Sequence, residues 1–465
     1  MAEVFLEARN ISKTFVGVKA LDNVDLTIGK GEIHCLIGEN GSGKSTLIKI
    51  IGGVYKADSG IIRIEGTELR GMQAIESIRA GIQIIYQDLS LFPNLTVAEN
   101  ISVNQMLESN QQKVNWKQVR ETARKALAEI GEDIPLDERV ESLSVAKKQI
   151  IAISRALTQN AKLIIMDEAT SAITSEEVSH LFSIILKLKQ RGIATLFVSH
   201  KLSEVFQIAE NITVLRDGKL LGVYPSSELD EEKLAYIMTG RMLRFEPYRY
   251  DEQMKDPVPL LEVKNLAKAG QYRNINFQLQ KGEILGIIGL IGSGRTEVVE
   301  SIFGIDGADS GSIMVSGKEV HIRNPRDGMR HGIAFLPEDR LTQGLFDVQS
   351  IGNNIVITIL KSFLKKSRML DVRKKKQAES EWVEKLSIKT PTPANPANSL
   401  SGGNQQRVVL AKWLATDPKI FILDGPTIGI DIGSKHTIHE IIRDLARQGM
   451  GIIMISDEAQ EILDN

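Results

Sequence analysis

Short apolar runs closed by glycine or a carboxylate alternate along this chain with longer amphipathic stretches. Residues 33–38, 163–166 and 194–198 are strand-like apolar runs, while 43–52 and 116–130 place their apolar residues at helical spacing. This alternation predicts a parallel α/β sheet. Strand signals are few from 96 to 159, which predicts a helical subdomain inserted into the α/β core. Residues 241–259 are polar and irregular, contain Tyr and Pro, and read as a linker.

The whole pattern occurs twice. Leu6-Glu7-Ala8-Arg9-Asn10-Ile11 returns as Leu261-Glu262-Val263-Lys264-Asn265-Leu266, and Lys30-Gly31-Glu32-Ile33 as Lys281-Gly282-Glu283-Ile284. Lys44 aligns with Arg295 and Gln87 with Glu338, both at an offset of 251; from Ser144 and Ser401 onward the offset is 257. Two constant registers separated by a single shift mark a duplicated domain of about 250 residues rather than a short-period solenoid. The expected organisation is a first domain at 1–240, a linker at 241–259 and a second domain at 260–465. The hairpin-like stretch 212–218 of the first half has no counterpart in the second, so the second domain is expected to be short at its C-terminus.

Composition narrows the function. At 465 residues the chain exceeds one ordinary core, and 42% hydrophobic with 25% charged residues is ordinary for a soluble globular protein. A net charge of -2 argues against a dedicated nucleic-acid binder. The single cysteine, Cys35, lies in an apolar strand-like run and reads as a buried thiol. The N-terminus has no secretory pattern, and no stretch approaches the roughly 18 apolar residues that span a bilayer. A cytoplasmic protein is expected, with no direct membrane insertion; any membrane role then comes through a partner.

The chemistry begins at Gly38-Glu39-Asn40-Gly41-Ser42-Gly43-Lys44-Ser45-Thr46, which follows a strand and opens a helix. Its glycines let backbone N–H groups cradle phosphate oxygens, Lys44 supplies a point charge to the β/γ-phosphates, and the Ser45 hydroxyl is a ligand for Mg²⁺. The expected ligands are therefore ATP and Mg²⁺. Asp167 and Glu168 end the apolar run 163–166; Asp167 suits the Mg²⁺ shell and Glu168 the attacking water. A strand ending in Asp-Glu is common, and gains weight from the phosphate loop in the same half. His200 follows the run 194–198; a lone histidine is more often structural, but this position favours contact with the γ-phosphate. Leu400-Ser401-Gly402-Gly403-Asn404 opens a helix, where Ser401 can cap and the glycines permit close approach to an anion.

In order and spacing these motifs resemble the ATP-binding cassette ATPases of transporters, over essentially the whole chain and in both halves. The resemblance implies two tandem P-loop cassettes, each a parallel-sheet core with an antiparallel β subdomain and a helical insert. It places Gln87 among the catalytic and Mg²⁺-binding residues. It also sets Phe15 against the adenine ring, although a core phenylalanine is an equal reading of that residue. Gly292 to Glu297, Leu336 to Arg340 and the weakened Leu143-Ser144-Val145-Ala146 are similar to the fused twin-cassette ATPases of bacterial monosaccharide importers of the ribose, galactose and xylose types.

In such proteins each ATP takes its signature segment from the opposite cassette. One site would thus combine Lys44, Ser45, Gln87, Asp167, Glu168 and His200 with Ser401, Gly402, Gly403 and Asn404. The other would combine Arg295, Thr296, Glu338, Asp424, Gly425 and Asp457 with Ser144, Val145 and Ala146, and is expected to bind nucleotide without turnover or not at all. Two departures stand out: Gly425 where an acidic residue is usual, and Ala169 where proline usually follows Asp-Glu. The resemblance implies membrane permease subunits as partners, a periplasmic or extracellular solute-binding protein indirectly, and a place on the cytoplasmic face of the bacterial membrane. Nucleosides or sugar-like signals are the alternative cargo. A soluble twin-cassette factor acting on ribosomes or nucleic acid is the alternative class, disfavoured by the short linker and the degraded second site.

Overall fold

The computed structural model describes residues 3–69, 73–108, 113–170, 173–199, 201–242, 247–290 and 292–465. The chain divides into two compact units, Met1–Leu243 and Arg244–Asn465.

In the first unit the described residues form a six-stranded sheet. Its order is Lys219–Pro225, Asn211–Arg216, Ile33–Gly38, Ala194–Val198, Leu163–Asp167, Ile82–Ile85. The strand Lys219–Pro225 pairs antiparallel with its neighbour and all other pairs are parallel. The central strands are mostly apolar because both faces are covered, one of them by the antiparallel sheet and the helix Lys44–Ile51; Ile33–Gly38 and Ala194–Val198 are buried at every residue. Parallel pairing brings the C-terminal ends of these strands to one edge, where ligands of open α/β sheets bind.

A second, antiparallel sheet comprises Val18–Gly29, Val4–Phe15, Ser59–Ile64 and Thr67–Leu69. It sets Leu6, Leu26 and Ile62 in one core with Leu47 and Ile48 of the helix Lys44–Ile51. The helical subdomain expected at 96–159 is present as Val97–Glu108, Trp116–Ile130 and Val145–Leu157. Asn115 fixes where the middle helix starts by accepting from the Gln118 amide at 3.2 Å, and left-handed Gly131 ends it. Cys35 is buried, as its apolar run implied, and burial pushes its thiol pKa up.

The second unit repeats the plan. Its parallel sheet runs Ile284–Ile287, Gly451–Ile455, Ile420–Asp424, Ile333–Leu336 among the described residues, and its antiparallel sheet runs Tyr272–Leu279, Leu261–Lys268, Ser310–Val315, Lys318–Val320. Ile351–Val356, Val372–Lys385 and Gly402–Leu414 form the helical part. Residues 247–259 are irregular apart from a 3₁₀ turn at Glu252–Met254. Tyr248 of this stretch packs against the second unit's core and donates its hydroxyl to the Gly282 carbonyl at 2.7 Å, so its aromatic ring holds the stretch to the fold. No described helix is long and apolar enough to cross a membrane.

Candidate functional site

The phosphate loop leaves the central strand Ile33–Gly38 and runs directly into the helix Lys44–Ile51. Gly43 precedes that helix at φ 103°, and a Cβ there would stand 2.6 Å from the Ala20 carbonyl oxygen, so only glycine fits. No side chain caps this helix, which leaves its N-terminal amides to an external acceptor. Ser42 Oγ is buried without a hydrogen-bond partner among the described residues. The Lys44 ammonium, on a residue only 7% exposed, donates to the carbonyls of Gly38 at 2.8 Å and Glu39 at 3.0 Å. An uncapped helix end, an orphaned hydroxyl and a lysine folded over its own loop fit a triphosphate. Asn40, Gly41 and Ser45 are exposed, with Thr46 half-buried beside them.

Asp167 closes the strand Leu163–Asp167, and the Glu168 amide donates to the Val198 carbonyl at 3.1 Å, tying the two strand ends together. Burial, then the charge of Glu168, raises the Asp167 pKa, while Lys44 and Lys49 oppose the shift. Lys44 thus belongs to the same electrostatic neighbourhood as the two carboxylates. A hydroxyl at Ser45 and a carboxylate whose ionisation is disfavoured by burial fit a hard divalent cation, which would restore the ionised form. Glu168 has φ 51°, in the left-handed region that side-chain-bearing residues rarely adopt. Gln87 is exposed in the turn after Ile82–Ile85. Its neighbour Tyr86 has a raised pKa, first from burial and then from Asp167. Phe15 is no core residue: it ends the strand Val4–Phe15, is 37% exposed, and meets Tyr55 edge-on at 5.3 Å between ring centroids. His200 lies outside the described residues; Ser199 before it and Lys201 after it are described.

In the second unit the signature segment 401–404 begins the helix Gly402–Leu414. The expectation that Ser401 caps it fails in one respect. Ser401 occupies the cap position, yet its hydroxyl accepts from the Asn404 side chain at 2.9 Å and makes no cap hydrogen bond. A Cβ on Gly403 would collide with Ser434, so its lack of a side chain is already needed within its own unit. In the first unit Ser144 does cap, accepting from the Lys147 amide.

The counterpart loop of the second unit carries Arg295 in place of lysine. This guanidinium donates to the Gly289 carbonyl at 2.5 Å and pairs with Asp457, the residue aligned with His200. Gly425, aligned with Glu168, has φ 57°: the same backbone shape without the side chain. Asp424 is pushed up to about 6, mainly by burial, and its Oδ2 has no hydrogen-bond partner among the described residues. It lines a cavity of ≈ 380 Å³ together with Thr296, Glu338 and Arg340.

Three features of this geometry escaped the sequence reading: the left-handed Glu168, the Arg295–Asp457 pair, and a buried carboxylate, Glu204, bonded to Thr170 and Ser199. The last was findable, because Thr170, Ser199 and Glu204 recur at the 257 offset as Thr427, Ser456 and Glu461.

The fold and loops define a tandem P-loop ATPase. The chain matches the ABC transporter family over residues 21–171 and 272–428. It is 42% identical over 464 residues to the ribose import ATP-binding protein RbsA of Halalkalibacterium halodurans, covering 99% of this chain and 92% of that one. It is 43% identical over 462 residues to the protein of the same name in Clostridium perfringens (strain 13), covering 98% and 91%. It is also 43% identical over 469 residues to the galactose/methyl galactoside import ATP-binding protein MglA 1 of Photobacterium profundum, covering 100% and 93%. The chain belongs to the ABC transporter family, as a twin-cassette ATP-binding protein.

Proposed function

We propose that this chain hydrolyses ATP to drive import of a monosaccharide through membrane permease subunits, on whose cytoplasmic face it sits. The observation that carries this reading is the asymmetry of the two units. The first holds Lys44, Ser45, Asp167 and Glu168 around an uncapped helix end, while the second has Arg295 paired with Asp457, and Gly425 without a carboxylate. Relatives named for ribose and galactose import, at about this chain's full length, support the cargo class.

In this reading the amides of residues 38–46 and Lys44 hold the phosphates, and Phe15 meets the adenine. Ser45, Asp167 and Gln87 hold Mg²⁺, which when bound supplies charge neutralisation at the β/γ-phosphates. Glu168 orients the attacking water and takes its proton, and His200 addresses the γ-phosphate. Ser401, Gly402, Gly403 and Asn404 complete the site from the second cassette. A solute-binding protein outside the membrane acts indirectly, and no nucleic acid takes part.

Glu168→Gln keeps the shape and removes the base, so steady-state ATP hydrolysis by the full chain should fall at least roughly 100-fold while ATP still binds. Hydrolysis within a few-fold of wild type would overturn the assignment of Glu168. Uptake of labelled ribose and galactose by cells carrying the permease, with and without this substitution, tests the cargo.

A further inference from the structure

Glu204 lies in the short helix Leu202–Ile208 and is 5% exposed. Its Oε2 accepts two hydrogen bonds, from Thr170 Oγ1 at 2.6 Å and from Ser199 Oγ at 2.8 Å. Thr170 stands two positions after Glu168, and Ser199 immediately precedes His200. The Ser199 hydroxyl also accepts from the Lys201 amide at 3.1 Å, so the residues on both sides of His200 share one fixed oxygen. On the other flank Gln149, of the helix Val145–Leu157, donates its side-chain amide to the Ala169 carbonyl. Glu168 itself holds a left-handed backbone, a conformation that persists only where the surroundings over-determine it.

The second unit builds a related connection, with the two hydroxyls on different oxygens of the carboxylate and His439 Nε2 3.1 Å from one of them. Glu461 accepts from Thr427 and Ser456, and the Glu458 amide donates to Ser456 Oγ at 3.0 Å. There the flanked residues are Gly425 and Asp457, so the connection outlasts the catalytic side chains and belongs to the cassette plan. Only in the first unit does it join two segments with chemistry to perform.

The geometry points to Glu204 as a positioning residue for ATP hydrolysis: one buried carboxylate fixes the segment carrying Glu168 relative to the segment carrying His200. This rests on the roles proposed above for those two residues. A base must be held within a fraction of an ångström of its working position, and an isolated buried carboxylate would be costly without both hydroxyl partners. Two hydroxyls converging on Oε2 set the distance between the two strand ends, while the Lys201 ammonium, 3.4 Å from Oε1, pairs with the other oxygen.

The test compares the full chain with Glu204→Ala, Glu204→Gln, Thr170→Val, Ser199→Ala and Glu168→Gln. For each, kcat and KM for ATP, affinity for a non-hydrolysable ATP analogue, and the thermal midpoint are measured. Glu204→Ala should lower kcat roughly 10- to 100-fold with KM and analogue affinity within about two-fold, because binding groups stay and alignment is lost. Thr170→Val and Ser199→Ala should each lower kcat by a smaller factor. Glu204→Gln, whose amide oxygen accepts both hydroxyls, should recover most of the activity. Unchanged kcat in both hydroxyl variants, or a fall in kcat matched by an equal loss of affinity, overturns the proposal; those two variants decide the matter if Glu204→Ala fails to fold. Near-normal hydrolysis by Glu168→Gln would instead overturn the reading on which it rests.

Discussion

At Asp424 burial outweighs the local partners. Thr296 and Arg295 favour the ionised carboxylate, yet burial, helped by Glu338, pushes its pKa from 3.8 to about 6. The folded state therefore prefers the protonated acid. The stability this residue contributes is fully present below about pH 4 and is lost as pH rises through about 6. That rise in pKa corresponds to roughly 3 kcal/mol. Asp424→Asn cannot titrate, so its stability relative to wild type should improve as pH rises from about 4 to about 7. Denaturant unfolding of both proteins across that range checks this, and a flat difference refutes it. Position 168 shows the opposite kind of residue effect. Glu168 and Gly425 share a left-handed backbone, which glycine adopts freely and glutamate adopts at a cost of order 1 kcal/mol or more. The second unit keeps the shape and omits the side chain.

At the level of elements the two signature helices differ at their first turn. Ser144 spends its hydroxyl on the Lys147 amide, whereas Ser401 turns its hydroxyl to Asn404 and leaves the amides of Gly402–Leu414 uncapped by any side chain. Ser144→Ala should thus cost about 0.5–1 kcal/mol of stability. Ser401→Ala should cost less stability but lower ATP hydrolysis, since its helix end is the one proposed to meet phosphate. Thermal unfolding and ATPase rates of the two variants separate these outcomes, and equal behaviour of both would refute the distinction. Elements of this kind were largely legible beforehand. Apolar runs located Ile33–Gly38 and Ala194–Val198 to the residue, and helical period located Trp116–Ile130. The loop glycines and the Asp167-Glu168 pair were legible because their chemistry demands residue types at fixed spacing. What a hydroxyl bonds to was not, because Ser401 has a cap's position and only the fold decides that Asn404 reaches it. The backbone angle of Glu168 was hidden for a similar reason: no periodicity records a dihedral. The anchoring of Tyr248 was likewise hidden, because its partner, the Gly282 carbonyl, is remote in sequence.

Over the whole molecule, duplication followed by divergence has left two loops that each carry a cation at the same position but give it different partners. Lys44 donates to the backbone carbonyls of Gly38 and Glu39, and phosphate oxygens can replace those acceptors with charged ones. Arg295 is 10% exposed at its side chain and already has a carboxylate, Asp457, so a triphosphate entering that loop must compete with an ion pair and meet an added negative charge. The asymmetry is thus built twice over, by the absence of a carboxylate at Gly425 and by the carboxylate paired with Arg295. Removing each cation should then have unequal consequences in the intact chain. Lys44→Ala should lower ATP hydrolysis roughly 100-fold or more, the usual scale for losing one electrostatic contact to developing charge. Arg295→Ala should leave kcat within about three-fold, its main cost being the stranded Asp457 and a modest loss of stability. Titration with a non-hydrolysable ATP analogue adds a binding readout: Lys44→Ala should lose the tight phase that Arg295→Ala retains. If the two substitutions depress hydrolysis equally, the second loop takes part in turnover and the assignment of a single working site falls.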